Sequence, residues 1–256
     1  MVNYLLKKSY QLKNLQEIDF KDLWGDHGVF TTMWIYGKPS KILFFEDHIN
    51  NLIKSTKAYS IYKPFIKKNI LKLLKENLNS KTKYNHLLRI ALNKKTLSIS
   101  LRKRVEPNLN FDLRLVNLKR QRPEFKNLKY LEILKHLSKL DNSRNDIGLC
   151  SNNKIFETGT SNLLFIKNNK VYSPINKFYK GITYKFFKSK IKSLVNKDIN
   201  VNSLKEFDEI ILIGSGKGVA SVKTINQIKW KRKSLKFYNI FSRHYKSAIS
   251  NCKRYS

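Results

Sequence analysis

Residues 25–52 read GDHGVFTTMWIYGKPSKILFFEDHINNL, and this stretch sets the fold class. Its runs 29–36 (VFTTMWIY) and 41–45 (KILFF) are rich in β-branched and aromatic side chains. Between them lies Gly37-Lys38-Pro39-Ser40, a hairpin composition. The segment from Glu46 to Tyr59 then reads as a helix. A second helix follows Pro64, with Phe65, Ile66, Ile70, Leu73, Leu74 and Leu78 at helical spacing. Strand-like runs return at 87–92, 96–102 and 111–116. Residues 1–116 are therefore expected to form an α/β domain of ordinary size.

The polar stretch 117–123 reads as a linker, and residues 124–256 as a second domain. Leu128, Leu131, Leu134 and Leu137 suggest a helix. Short strands are then expected at 146–150, 154–158, 161–166 and 170–173, with Asn152-Asn153 and Asn168-Asn169 as hairpin turns. A helix from about Ile182, strands at 209–213 and 219–228, and a basic helix from about Ser234 complete the order. There is no internal repeat.

Composition narrows the class of molecule. The chain has 256 residues, of which 41% are hydrophobic and 12% aromatic, enough to build a sizeable core. Its two cysteines, Cys150 and Cys252, form neither a CxxC nor a Cys/His cluster. Neither a disulfide framework nor a metal site is indicated, and a reducing cytoplasm is the default expectation. No apolar stretch suggests a signal sequence or a membrane span. A net charge of +34 raises the question of a polyanionic partner. Yet 42 of the 52 basic residues are lysines spread through every segment, whereas base readers favour arginine. Dedicated nucleic-acid binding is not expected, although a basic surface would attract small anionic substrates.

Five segments, in order, resemble the class IV aminotransferases and aminodeoxychorismate lyases. The first is the opening stretch quoted above. The others are PEFKNLKYLEIL (123–134), IFETGTSNLLFI (155–166), YSPINKFYKGIT (172–183) and ILIGSGKGVASV (211–222). The resemblance implies a two-domain α/β fold with an N-terminal α/β sandwich and a C-terminal pseudo-barrel. It places pyridoxal 5'-phosphate in the cleft between the domains and implies a homodimer.

The implied chemistry assigns roles to individual residues. A lysine must bind the cofactor and afterwards carry a proton, which requires a neutral amine. The Leu128-Lys129-Tyr130-Leu131 pattern makes Lys129 the candidate, with Lys126 as the alternative because it better preserves the spacing to the downstream acid. Glu157 would face the pyridine nitrogen. Ile182 and Thr183 on one side, and Ser215 with Gly216 on the other, would bind the phosphate through small residues and backbone N–H groups. Asn51 stands where the family's phosphate-binding arginine is expected, Tyr184 where another arginine follows Gly-Ile-Thr, and Glu132 where an asparagine follows the lysine. Thr31 and Thr32 are the candidate proton-handling hydroxyls, and Arg89 and Arg102 the candidate anchors for substrate carboxylates. Phe30-Thr31-Thr32 and the Leu-Lys-Tyr-Leu pattern resemble the lyases. The expected reaction is therefore conversion of 4-amino-4-deoxychorismate to 4-aminobenzoate and pyruvate, a step of folate synthesis. A branched-chain or D-amino-acid transaminase is the alternative, and a non-catalytic basic module binding RNA or anions is the alternative from another class.

Overall fold

The computed structural model describes residues 4–255, and the chain divides into two compact units. The first contains residues 4–104, 125–131 and 252–255. Its elements are β1 (Tyr4–Gln11), β2 (Glu17–Ile18), β3 (Gly28–Gly37), β4 (Lys41–Ile42), α1 (Phe45–Ala58), α2 (Ile66–Asn77), β5 (Tyr84–Asn93) and β6 (Thr96–Lys103). The strands form one sheet in the order β2-β1-β6-β5-β3-β4, and each neighbouring pair is antiparallel.

Alternation builds the core of this unit. Val29, Met33 and Ile35 of β3, Leu88, Ile90 and Leu92 of β5, and Leu97, Ile99 and Leu101 of β6 share one face. They pack with Phe45, Ile49 and Leu52 of α1 and with Ile66, Ile70, Leu73 and Leu74 of α2. The helical residues recur at intervals of three or four, the spacing that holds one helix stripe against a sheet. The strand expected to run to Phe45 stops at Ile42 instead. Phe44 adopts the left-handed region with φ 56°, and α1 starts at Phe45 with Glu46 and Asp47 in its first turn, where acidic side chains favour the helix dipole. Strand β1 was not anticipated because Lys7 and Lys8 interrupt its apolar pattern. It is specified by pairing with β6, Ser9 opposite Ser98 and Tyr10 opposite Leu97.

The second unit contains residues 105–124 and 132–251. Its strands are β7 (Asn110–Asn117), β8 (Asn145–Ser151), β9 (Lys154–Thr158), β10 (Asn162–Lys167), β11 (Lys170–Ser173), β12 (Leu194–Asn196), β13 (Glu209–Gly214), β14 (Gly218–Ile225) and β15 (Trp230–Lys231). Its helices are α3 (Leu131–Leu137), which begins in the first unit, then α4 (Ile182–Lys190) and α5 (Lys236–Ser250). The sheet order is β12-β11-β10-β13-β14-β7-β8-β9, with β15 added to β14. Phe111, Leu113, Ile155, Leu163, Phe165, Phe207, Leu212 and Val222 form its core. Both Asn-Asn turns join hairpins as expected, with φ of 50° and 57° at Asn152 and Asn153 and 51° and 58° at Asn168 and Asn169, the positive values that type I′ turns require.

The division of the chain departs from the expected boundary at 116. Strand β7 pairs in parallel with both β14 and β8, so it belongs to the second unit. Residues 125–131 return to the first, where Asn127 bridges Val29 and Leu128 N–H donates to the Gly28 carbonyl at 2.9 Å. The supposed linker 117–123 is itself partly buried, with Arg120 8% exposed. Truncating the fully buried Phe111 to alanine is expected to cost about 3–5 kcal/mol of stability in chemical denaturation. Hydrogen exchange should quicken first in β14, whose Val222 lies opposite Phe111; exchange quickening first in β6 would return β7 to the first unit.

Candidate active site

In the first unit, residues 25–28 and 126–130 are fastened to each other by the main chain. Gly25 N–H donates to the Leu128 carbonyl at 2.9 Å, and Phe30 N–H to the Lys126 carbonyl at 2.9 Å. A side chain at position 28 would put its Cβ 2.2 Å from the Leu92 carbonyl oxygen, so the glycine ending the Gly-Asp-His-Gly turn is sterically required. Lys129 is exposed, and its Nζ donates to the Gly25 carbonyl at 2.5 Å. Helix α3 starts two residues later. Lys126 is half-buried, with Nζ 5.0 Å from the centroid of the Phe30 ring. Tyr130 packs edge-on to Phe30 at 5.7 Å and stacks with Trp24 at 5.5 Å.

Strand alternation separates Thr31 from Thr32. Thr31 lies on the helix-covered face, where its hydroxyl and His48 Nδ1 are 2.8 Å apart. His48 is 4% exposed; burial, with the positive charge of Lys126 adding to it, pushes its pKa down to about 3. Thr31 is thus hydrogen-bonded to a neutral imidazole inside the core. Thr32 lies on the opposite face, opposite Arg89 in register. Arg89 pairs with the Asp22 carboxylate at 2.7 Å, donates to the Asp22 carbonyl and sits 4.0 Å over the Trp24 ring. Desolvation lowers its pKa, and Asp22 opposes that shift. Arg102, in register with Leu87, is exposed. Asn51 is half-buried on α1, and its carbonyl accepts from the Ser55 hydroxyl at 2.8 Å.

The second unit concentrates polar groups around β9 and β10. Glu157 is 4% exposed, accepts from Tyr179 N–H at 3.2 Å and lies 3.4 Å from Arg120. The Arg120 guanidinium is also 5.9 Å from the Tyr179 ring centroid. Asn162 Nδ2 donates to the Tyr179 carbonyl at 2.5 Å, and Asn162 Oδ1 accepts from Gly181 N–H at 3.2 Å. These bonds seat the segment preceding α4 against β10. Gly181 is extended, with φ −63° and ψ 164°, and α4 begins at Ile182. The first turn of a helix leaves N–H groups without intrahelical partners. The buried Thr183 hydroxyl beside them makes no hydrogen bond, and an unpaired buried hydroxyl is costly unless an acceptor meets it.

Ser215, Gly216 and Lys217 form the short loop between β13 and β14, closed by the pair Gly214 opposite Gly218. Gly218 has φ +71°, and a Cβ there would lie 2.8 Å from the Tyr245 ring, which excludes a side chain on two counts. Ile182 and Thr183 therefore share a helix start, and Ser215 and Gly216 share a loop. Arg120, Tyr179, Asp146 and Lys217 escaped the residue-by-residue reading. Arg120 sat in a stretch read as linker, and no local pattern marks its pairing with a residue 37 positions away. Among the described residues no group of three His, Cys, Asp or Glu could hold a metal ion, and no helix is long and apolar enough to cross a membrane.

A family model described as amino-transferase class IV matches residues 28–225. Among solved structures, the fold is similar to a branched-chain aminotransferase of Thermoproteus uzoniensis crystallised with norvaline, with 14% identity, coverage of 96% of this chain and 94% of that one, and a TM-score of 0.75. It is similar to a candidate 4-amino-4-deoxychorismate lyase of Legionella pneumophila, at 18% identity, 87% and 91% coverage and a TM-score of 0.70. A hypothetical aminotransferase of Mycobacterium tuberculosis in its PLP-bound form matches at 14% identity, 95% and 99% coverage and a TM-score of 0.73. At these identities the likeness establishes the fold. No curated protein matches the chain.

The depressed pKa of His48 generates a pH prediction. The unfolded chain takes up a proton near the ordinary value of about 6.5, while the folded chain refuses it until about pH 3. This contribution to stability is complete above the unfolded value and is lost as pH falls through that window, at up to about 1.4 kcal/mol per pH unit. The His48 ring resonances should stay flat from about pH 8 to about pH 4. A midpoint near the ordinary histidine value would place the ring in water and release Thr31.

Proposed function

This chain belongs to the class IV aminotransferase family, and from that premise we propose that it is a pyridoxal-phosphate-dependent 4-amino-4-deoxychorismate lyase. The observation that carries the cofactor reading is the set formed by the buried Glu157, its Arg120 partner and the unpartnered Thr183 hydroxyl at the start of α4. These residues match the group's two demands, a carboxylate for a ring nitrogen and donors for a phosphate. When bound, pyridoxal phosphate supplies a cationic ring that withdraws electrons from the substrate carbon bearing the amino group.

The residues then have separable tasks. Glu157 would face the ring nitrogen and keep a proton on it, and Arg120 and Tyr179 N–H hold that carboxylate in place. The N–H groups of Ile182 and Thr183, the Thr183 hydroxyl, and the Ser215-Gly216 loop receive the phosphate. Lys129 Nζ, exposed and held by a single carbonyl, anchors the cofactor. The Lys129 amine would accept the ring proton of the substrate carbon next to nitrogen and then return a proton to the departing three-carbon fragment, which would leave as pyruvate. Thr32, on the face shared with Arg89, is the hydroxyl left to assist that transfer. Phe30-Thr31-Thr32 and Leu128-Lys129-Tyr130-Leu131 support lyase over transaminase chemistry.

Purified protein supplied with pyridoxal phosphate should convert aminodeoxychorismate to 4-aminobenzoate and pyruvate without a keto-acid acceptor. Borohydride reduction and peptide mapping should place the pyridoxyl group on Lys129. Turnover of branched-chain or D-amino acids that requires 2-oxoglutarate, with no lyase turnover, would establish the transaminase instead. Label on Lys126 would move the anchor by three positions.

A further inference from the structure

Lys217 has no task in this chemistry, yet it is the single buried lysine among the described residues. Its Nζ lies 3.0 Å from Asp146 Oδ2, donates to the Thr160 hydroxyl at 2.6 Å and sits 5.0 Å from the Phe111 ring centroid. Asp146, at the start of β8, is 0% exposed. Its Oδ2 also accepts from the hydroxyls of Thr158 at 2.8 Å and Thr160 at 2.7 Å, and its Oδ1 accepts from Ile147 N–H at 2.8 Å. Thr158 Oγ1 in turn accepts from Ser161 N–H at 2.8 Å. One carboxylate thereby fastens the loop that carries Ser215 and Gly216 and the turn that directly follows Glu157.

We propose that Lys217 and Asp146 are a positioning pair that fixes the phosphate loop relative to the Glu157 strand; the inference rests on the cofactor reading above. The charge arithmetic favours positioning over direct attraction. A cation compensated by a carboxylate at 3.0 Å presents little net charge to a third group, so Lys217 contributes chiefly through where it holds its neighbours, Gly216 and Gly218. A loop bounded by Gly214 and Gly218, with a glycine also at 216, is otherwise conformationally permissive. A tie at its one long side chain reduces the freedom lost on binding.

The two roles predict opposite signs. If Lys217 were the phosphate's counter-ion, Asp146→Asn would unmask its charge and tighten pyridoxal phosphate. As a positioning pair, Asp146→Asn and Lys217→Met each loosen the loop and weaken the cofactor by about tenfold or more. The double variant should be little worse than either single one, because the residues act as one unit. Hydrogen exchange of the protein without cofactor supplies the independent readout. The amides of residues 215–218 should exchange about tenfold faster in both variants, with β10 unchanged. Thr160→Val, which removes one hydroxyl of the network and leaves the ion pair, should give a smaller shift in the same direction; it decides the matter if the charge variants fail to fold. Unchanged exchange with intact cofactor binding, or tighter binding in Asp146→Asn, overturns the proposal. Faster exchange in both variants, with a wild-type protein that takes up no pyridoxal phosphate, would overturn the cofactor reading alone and leave the loop tie standing.

Discussion

A carboxylate removed from water keeps its charge only where cations and hydrogen-bond donors replace its hydration shell, and this requirement organises the second unit. Two acids, Glu157 and Asp146, are buried there on the antiparallel pair β8–β9. Leaving either alone would cost several kcal/mol. Glu157 recruits Arg120 and the main chain at Tyr179; Asp146 recruits Lys217, Thr158 and Thr160. Segments far apart in sequence are held to one hairpin because their polar groups satisfy these two acids. The neutral core of Phe111, Phe165 and Leu212 provides the driving force for burial, while the acids decide which loops lie beside which strand.

The first unit solves a different problem, presenting polar groups on both faces of one sheet. On the helix-covered face, Thr31 and His48 satisfy each other, and the imidazole is kept neutral by its surroundings. On the other face, Ser9 and Ser98 bond each other at 2.8 Å, and Lys21 bonds both hydroxyls. Arg89 there clasps Asp22 and Trp24. These contacts strap residues 21–24 across the sheet. Arg89 is thus paired within its own chain, and a substrate carboxylate would share its guanidinium with Asp22. Its neighbour Arg102 is exposed.

The strong positive charge reads differently once the fold is known. Of the lysines among the described residues, Lys217 alone is buried; the rest contribute a diffuse positive field at the surface. Such a field speeds the approach of small anions without selecting among them. Selection must come from a few directional contacts, and the family's fold supports both lyase and transaminase chemistry. Within one such architecture the side chains at the site, and not the strands that carry them, decide the reaction.

Local pattern was sufficient for the α/β class, both Asn-Asn hairpins, the α1 and α2 stripes, and the five ordered segments that carry the family resemblance. Each depends on residues within a few positions of one another: alternation, helical spacing, or turns that favour positive φ. Only the tertiary structure decided that β7 lies between β14 and β8, that 125–131 returns to the first sheet, and that β1 is a strand at all. It also decided that Thr31 is bonded to His48 while Thr32 lies on the other face, and that Arg120 and Lys217, unremarkable among 52 basic residues, hold the buried Glu157 and Asp146. Sheet pairing and ion pairing are contacts between residues distant in sequence. Their free energy depends on desolvation and on what lies opposite, and neither quantity is encoded in the identity of the residue itself.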